Sequence, residues 1–406
     1  MFYGWAIVGS GFFMSIIGIG SRYCYGVFLK SLEVEFGITR MMTSSIFSLY
    51  MLLCSIIAVF SGWAMDEYGP KRVGIFMGTF TGLSFFLTSM ANSAWQLFIT
   101  YSLLFSLGTG AIYTIVNSTV SKWFVKKRGL VVGITSSGGG LGTFIMAPIM
   151  TYLISSFDWR TAFIVLGFFT WIGIGAMSLL LRRDPHDLGL LPDGDQSEPV
   201  QGGVTKEAWE VPRGDFSPGQ AYKMSQFWIL GFSWLLLSLS FHLIFVHIVP
   251  YAVDQGISPM DASFILSLIG ISNVLGRIVL GKLSDLVGRK SLAITSALIQ
   301  AGALLWLMWT HRLWMLYVFA IPFGFTFGGS SAMITALVGD IFGTRNLGVI
   351  MGILIAGFAL GAAIGPAIGG YVFDVSGQYF MAFVAGTFSI LITAFIIALI
   401  RRVPDQ

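Results

Sequence analysis

Long apolar segments separated by short polar stretches form the main pattern along this chain of 406 residues. Each segment has about 20 residues or more, the length that an α-helix needs to cross a hydrocarbon core of about 30 Å. Because backbone groups in a bilayer bond within their own segment, these runs predict helices. The predicted spans cover approximately residues 5–29, 41–63, 73–92, 97–121, 129–153, 161–181, 224–249, 261–281, 291–310, 313–338, 347–373 and 380–400. The pattern therefore predicts an all-α membrane protein with twelve transmembrane helices.

The composition agrees with a chain embedded in a lipid bilayer and argues against several other functions. Hydrophobic residues make up 55% of the chain and charged residues 10%, whereas soluble domains carry about 25% charged residues. The histidines show no metal-ligand spacing, and Cys24 and Cys54 both fall inside predicted spans. No phosphate-binding loop of the Gly-x-x-x-x-Gly-Lys-Ser/Thr type is present. We therefore expect no enzyme activity, no cofactor, no metal site and no nucleic-acid partner.

The chain divides into two related halves. Residues 182–223 are rich in proline, glycine and acidic residues and contain no apolar run, which predicts a cytoplasmic linker between residues 1–181 and 224–406. Within it, Ser217-Pro218 is expected to start a short helix. At an offset of 219 residues the halves share Gly62 and Gly281, Asp66 and Asp285, Gly69 and Gly288, Lys71 and Lys290, Trp95 and Trp314, and Tyr152 and Tyr371. This repeat predicts two pseudo-symmetric six-helix bundles that rock against each other around a substrate.

Basic residues in the predicted loops lie mostly on the side of the membrane that carries both chain ends. The stretches Lys122 to Arg128 and Arg182-Arg183 are on that side, whereas Lys30, Arg40 and a few others lie opposite. By the positive-inside rule this asymmetry predicts cytoplasmic termini. We expect a multi-pass protein of the cell inner (plasma) membrane that acts as a monomer.

The turn Gly281 to Lys290 resembles the signature loop of the major facilitator superfamily. The first copy, Gly62 to Arg72, fits less closely because Pro70 stands where a basic residue is usual. The resemblance implies the major facilitator fold. Charges in the two turns are expected to latch the cytoplasmic side shut in one state; the alternative is that they only set the topology. The residues concerned are Asp66, Lys71, Arg72, Asp285, Arg289 and Lys290.

Two further stretches resemble one branch of that superfamily. Residues 123–133, which run into residues 137–142, resemble the entry to helix five of monocarboxylate transporters and bacterial oxalate–formate antiporters. Two departures matter for the substrate. Asn273 stands where monocarboxylate transporters often carry aspartate. Span eleven lacks the lysine that oxalate carriers pair with their helix-eight arginine, which argues against a dianion held between two cations.

Arg277 is a single cation inside the eighth apolar span. Such a charge costs roughly 3 kcal/mol on insertion scales, and its counterpart at the repeat offset is Ala58, so the shared fold does not require it. A planar guanidinium binds a carboxylate through two parallel hydrogen bonds. The resemblance adds that this family uses a helix-eight arginine for the substrate carboxylate. We predict that Arg277 binds the substrate; the alternative is an arginine whose head group reaches the cytoplasmic surface.

Other polar residues in the spans are candidates for the same site. Arg22, in the outer part of span one, either attracts anions or reaches the outer interface. Tyr113 and Asn117 lie on one face of span four because they are four residues apart. His247, in span seven, either carries a proton or bonds the substrate; the alternative is a solvated histidine near the extracellular end. The full set of candidates is Arg277, Arg22, Tyr23, Tyr113, Asn117, His247 and Asn273.

These observations favour a secondary transporter that moves small monocarboxylates, such as lactate or pyruvate, by alternating access. Proton symport is favoured over anion exchange. An oxalate–formate type exchanger is the main alternative. A drug-efflux transporter or a non-transporting receptor is less well supported, because no acidic residue lies deep in a span and the linker is short for an output module.

Overall fold

The computed structural model describes residues 2–194, 216–343 and 347–400, and all regular structure in these ranges is helical. The helices are α1 Gly4–Phe36, α2 residues 40–68, α3 residues 70–89, α4 Ala94–Trp123, α5 Arg128–Ser156, α6 Trp159–Leu180, α7 Ser225–Asp254, α8 Pro259–Val287, α9 Arg289–Leu307, α10 Leu313–Phe342, α11 Leu347–Ser376 and α12 Phe380–Ala398. We call the side at which α1 begins and α12 ends the termini side. The other side is the opposite side.

Helices α2 and α3 follow each other without the loop that the sequence predicts between them. By length and composition, 11 described helices can cross a membrane, and one of these, Arg40–Ser89, has 50 residues. A straight helix of that length would measure about 75 Å, more than twice the hydrocarbon thickness. Its backbone is non-helical at Gly69, with φ 78° and ψ 163°. The break divides it into two spans, which gives the twelve that the sequence predicts.

The same break recurs in the second half of the chain. Gly288, which lies 219 residues after Gly69, has φ 99° and separates α8 from α9. The two signature-like turns are thus each reduced to one glycine with positive φ. Pro70 follows the first break as the opening residue of α3, a position where the missing N–H of proline costs little. The repeat predicted from sequence is therefore present in the backbone.

A Gly69→Ala variant is expected to unfold at a lower temperature than the wild type. Its φ and ψ lie in a region that only glycine adopts readily, and a side chain there costs about 1–3 kcal/mol. Gly62→Ala is the matched control, because Gly62 lies in regular helix and a Cβ there meets nothing within 4 Å. Thermal unfolding of both variants and the wild type in detergent measures the effect. Equal unfolding midpoints for Gly69→Ala and Gly62→Ala would contradict the helix break assigned at Gly69.

The two halves pack closely towards the opposite side. Gly26 of α1 lies against the Val246 carbonyl of α7, and Gly140 of α5 lies against Gly270 of α8. Near the end of α11, Gly370 lies against the backbone at Met41. A Cβ at any of these glycines would overlap the facing backbone, so small residues permit the approach. The halves are therefore closed against each other on the opposite side.

The segment before α7 forms the short helix that the sequence predicts. Residues Pro218–Ala221 form a short helix whose N-cap, Ser217, shares a capping box with Gln220. Half of the predicted linker, residues 195–215, lies outside the described residues. The division at residues 181 and 224 stays a prediction.

Candidate functional site

Arg277 and Tyr113 lie beside each other at mid-depth, between the two halves. Each residue is about 15 Å along its helix axis from the termini-side end, at Val287 and Trp123 respectively. That distance exceeds the reach of an arginine side chain, so the Arg277 head group stays inside the molecule. The Tyr113 side chain is 50% exposed although it neighbours Arg277 of α8 and Ser136 of α5. A tyrosine that is exposed at this depth lines an internal space.

Breaks in two helices position the polar groups of the first half. Helix α1 is interrupted at Cys24, directly after Arg22 and Tyr23. Helix α4 is interrupted at Gly110 and Ala111, shortly before Tyr113. Discontinuous helices at the midplane are a common way for transporters to present polar groups to a ligand.

Arg22 lies deeper than the sequence suggests. Helix α1 continues to Phe36, so Arg22 is near its middle and not at an outer interface. Its Nε donates to the hydroxyl of Tyr50 at 2.7 Å, and the guanidinium lies 5.5 Å from that ring centre. The hydroxyl of Thr109 donates its one hydrogen to the Phe105 carbonyl at 2.8 Å. It can therefore only accept from the hydroxyl of Tyr50, which lies 2.7 Å away. The Tyr50 oxygen is thereby fixed as an acceptor for Arg22.

Loss of the Tyr50 hydroxyl is expected to weaken anion binding through Arg22. In Tyr50→Phe the Nε loses its acceptor, which costs about 1–2 kcal/mol, or roughly tenfold in affinity. Tyr101→Phe is the matched control, because its ring lies 5.8 Å from that of Tyr50 but its buried hydroxyl has no partner among the described residues. Equilibrium binding of radiolabelled carboxylate to the purified variants measures the difference, and equal losses would show that the hydroxyl does not act through Arg22.

The space between the halves carries positive charge without a compensating acid. The guanidinium groups of Arg22 and Arg277 both lie close enough to the hydroxyls of Tyr23 and Tyr113 to interact with them electrostatically. Arg277 hydrogen-bonds the hydroxyl of Tyr113, and Arg22 bonds Tyr50 through its Nε. Within the described ranges neither guanidinium forms an ion pair. The aspartates and glutamates of the described helices lie near helix ends. Uncompensated guanidinium groups inside a protein are costly, so this arrangement suits an anion as counter-ion.

The asparagine candidates lie on the same helices as Tyr113 and Arg277. Asn117, one turn after Tyr113, has a buried Oδ1 without a partner among the described residues. Asn273, one turn before Arg277, is half-buried, and its backbone carbonyl packs on Gly328 of α10. Neither side chain is bonded to either arginine in the described part of the chain.

His247 lies apart from these residues, where α7 meets the other half. It is fully buried, and its Nε2 donates to the Pro366 carbonyl at 2.8 Å. Its Nδ1 then accepts from the hydroxyl of Tyr379 at 2.9 Å, and Ser44 of α2 lies 3.3 Å from Nε2. Both nitrogens are occupied, so His247 belongs to the contact between the halves in this conformation. The ring is therefore not solvated in this conformation.

An ion cluster that sequence reasoning did not single out holds the opposite side closed. Arg40, at the start of α2, is 5% exposed and binds both oxygens of Glu33 at 2.8 and 2.9 Å. Across the junction it bonds Asp254 of α7 and donates to Tyr379 at 3.1 Å. The backbone N–H of Arg40 donates to Asp374 of α11 at 2.9 Å. We call these five residues the opposite-side closure. Their signal in the sequence was only a set of charges at span ends.

The predicted latch residues do not join the halves in this conformation. Arg289 bonds Asp285 at 3.2 Å and also Asp340, all within the second half. Lys290 donates to the carbonyls of Ala398 and Ile400 at 2.8 and 2.7 Å. In the described residues, the other three latch candidates form no ion pair; they are Asp66, Lys71 and Arg72. The latch stays a prediction for a state closed on the termini side.

Comparison with known proteins finds one matching family model and several similar transporters. A family model described as Major Facilitator Superfamily matches residues 11–287 and residues 236–406. Monocarboxylate transporter 12 of Xenopus laevis is 29% identical, over 98% of this chain and 89% of the relative. The human protein of that name is 28% identical, over 99% and 81%. Monocarboxylate transporter 13 of Bos taurus is 26% identical, over 95% and 87%.

Two solved structures share the architecture. A crystal structure of a D-xylose–proton symporter superposes with a TM-score of 0.78 and 13% identity, over 97% of each chain. A bacterial homologue of the human lysosomal transporter Spinster, crystallised in an inward-facing and unoccupied conformation, superposes with a TM-score of 0.70 and 15% identity, over 98% and 95%. At these identities the likeness concerns the fold.

Proposed function

Because the chain belongs to the major facilitator superfamily and is a membrane transporter and not an enzyme, we propose that it carries small monocarboxylates, such as lactate or pyruvate, by proton symport through alternating access. The observation that carries the proposal is Arg277, a guanidinium at mid-depth with no acidic partner among the described residues. A carboxylate accepts two parallel hydrogen bonds from such a group. The names of the relatives support the same substrate class.

The proposed site combines groups from both halves. Arg277 binds the carboxylate, and Tyr113 and Arg22 approach it from the first half. A substrate that contacts both halves at once stabilises their closure around it. This is how binding energy is used for alternating access in transporters built from two repeats.

We assign the termini side to the cytoplasm, on the basis of the basic loops. With that orientation, the conformation described here is closed to the outside. The opposite-side closure then acts as an extracellular gate. The plasma membrane location, the monomeric state and the division into residues 1–181, 182–223 and 224–406 belong to the same proposal.

A second candidate is exchange of small dicarboxylates such as oxalate. The absence of a cation from span eleven argued against it, but Arg22 supplies a second guanidinium close to the residues around Arg277. Two cations facing one space suit a dianion as well as a monoanion.

Uptake into proteoliposomes of the full-length protein tests the proposal. Labelled lactate, labelled oxalate and a labelled neutral sugar are offered with and without an inward proton gradient. We expect lactate uptake that the gradient stimulates and no sugar uptake. Oxalate uptake that exceeds lactate uptake would favour the exchanger, and uptake of the sugar alone would exclude both candidates.

A further inference from the structure

His242 of α7 is a buried histidine whose protonation pattern can be assigned from its neighbours. Its Nδ1 lies 2.9 Å from the carbonyl and 3.1 Å from the hydroxyl of Ser238. That hydroxyl donates its one hydrogen to the Phe358 carbonyl at 2.6 Å, and a carbonyl only accepts. Nδ1 must therefore carry a hydrogen, so Nε2 of the neutral ring has a free lone pair.

The Nε2 atom of His242 has no partner among the described residues and is sealed from solvent. A buried acceptor without a hydrogen bond costs about 1–3 kcal/mol, so it calls for an explanation. The rings around the imidazole include Tyr23 at 6.0 Å and Phe47 at 6.3 Å, both from the first half. Phe358 of α11 lies at 5.4 Å. Separation of the halves on the opposite side would move the first two rings away and expose Nε2.

His247, the other buried histidine of α7, has no such free position. Both of its nitrogens are hydrogen-bonded to protein groups. An added proton on His247 would have to displace the Tyr379 hydroxyl from Nδ1. His242 can take up a proton at Nε2 without breaking a bond.

The charges around His242 link its protonation to the presence of an anion. Among the described residues, the titratable groups that face it are Arg22 and Tyr23 of α1, while α2 presents Phe47 and α11 presents Phe358. A further positive charge next to Arg22 is unfavourable in a site that contains no carboxylate. A bound substrate anion supplies the missing negative charge.

We infer that His242 binds the proton that is transported with the carboxylate, an inference that rests on the proposed proton-coupled transport. When the site is open to the opposite side, a proton from water binds the Nε2 lone pair and the substrate binds the arginines. When Tyr23 and Phe47 close over the ring and the substrate leaves, an imidazolium without an acceptor would stand beside Arg22. The proton then returns to water on the termini side, and the neutral ring described here remains.

A His242→Asn variant separates this role from a purely structural one. The asparagine Nδ2 can keep the bond to the Ser238 carbonyl, but the side chain cannot take up a proton. In proteoliposomes of the full-length protein, the wild type is expected to accumulate labelled lactate about tenfold for each pH unit of gradient, if one proton moves with each lactate. The variant is expected to exchange lactate across the membrane but not to accumulate it. His247→Gln is the matched variant and is expected to keep the wild-type ratio of accumulation to exchange.

A second measurement uses the wild-type protein and does not depend on how a variant folds. In protein with ¹⁵N-labelled histidine, lactate is expected to convert one ring from the Nδ1–H form to the doubly protonated form in the NMR spectrum. No change in any histidine, or gradient-driven accumulation by His242→Asn, would overturn the inference while leaving carboxylate transport intact. A wild type that carries no carboxylate would instead refute the proposed function.

Discussion

Proteoliposomes that contain Arg277→Ala are expected to take up almost no lactate. The variant removes both hydrogen bonds that the guanidinium offers to a carboxylate, and hydrogen bonds to charged groups contribute about 1.5–3 kcal/mol each. A loss of about 3 kcal/mol lowers affinity roughly a hundredfold. Arg22 remains in the space between the halves, but it lies on α1 and its Nε is held by Tyr50.

Two controls show whether a loss in Arg277→Ala is specific. Arg277→Lys keeps the charge but not the planar fork, so intermediate uptake is expected. Arg312→Ala removes an exposed arginine at the start of α10, on the opposite side, and is expected to behave as the wild type. Initial rates of labelled lactate uptake measure all three variants. Undiminished transport by Arg277→Ala would show that the carboxylate binds elsewhere.

An Arg40→Ala variant is expected to shift the protein towards a state that is open on the opposite side. Without the guanidinium, the carboxylates of Glu33 and Asp254 repel each other across a buried junction. Removal of one partner from a buried ion pair costs about 3–5 kcal/mol. If about 2 kcal/mol of that is specific to the closed state, the ratio of open to closed protein rises roughly thirtyfold.

Lys30→Ala is the matched control for the opposite-side closure. Lys30 pairs with the same acid, Asp254, at 2.7 Å, but its side chain is 42% exposed. Surface pairs contribute about 0–1 kcal/mol, so this change should barely alter the equilibrium.

Labelling of an introduced cysteine measures how far the opposite side opens. Ser44→Cys is suitable because Ser44 is fully buried between the halves, and the background lacks Cys24 and Cys54. A membrane-impermeant maleimide applied from the opposite side should label this position faster in Arg40→Ala than in Lys30→Ala. Equal labelling would show that the ion cluster does not hold the halves together.

Local patterns were sufficient to predict the helices and the repeat. Apolar runs of bilayer length define the spans, and the fixed offset of 219 residues pairs Gly69 with Gly288, both of which break a helix. The exact form of those breaks was not predictable. The sequence suggested a loop around Gly69, but one glycine with positive φ allows α3 to follow α2 directly.

Arg277 and Tyr113 could be singled out as candidates from sequence because each depends on a local signal. A cation in an apolar run and two polar residues four apart are visible without tertiary structure. The environment of Arg22 was not visible in the same way. Its depth depends on how far α1 continues, and its anchor Tyr50 lies on another helix.

The opposite-side closure shows what sequence alone leaves out. The side chains of Arg40 and Asp254 meet although 214 residues separate them in the chain. The tautomer of His242 likewise depends on the Phe358 carbonyl of another helix. Such contacts follow from the packing of the two halves and have no local signature.

The central claim is that the protein recognises a carboxylate through Arg277 between its two halves. Equilibrium binding of lactate and of lactamide, its neutral amide, to the purified protein tests it most directly. Because only the carboxylate forms a charge-assisted pair with the guanidinium, lactate should bind at least about tenfold more tightly than lactamide. Equal affinities for lactate and lactamide would contradict the claim.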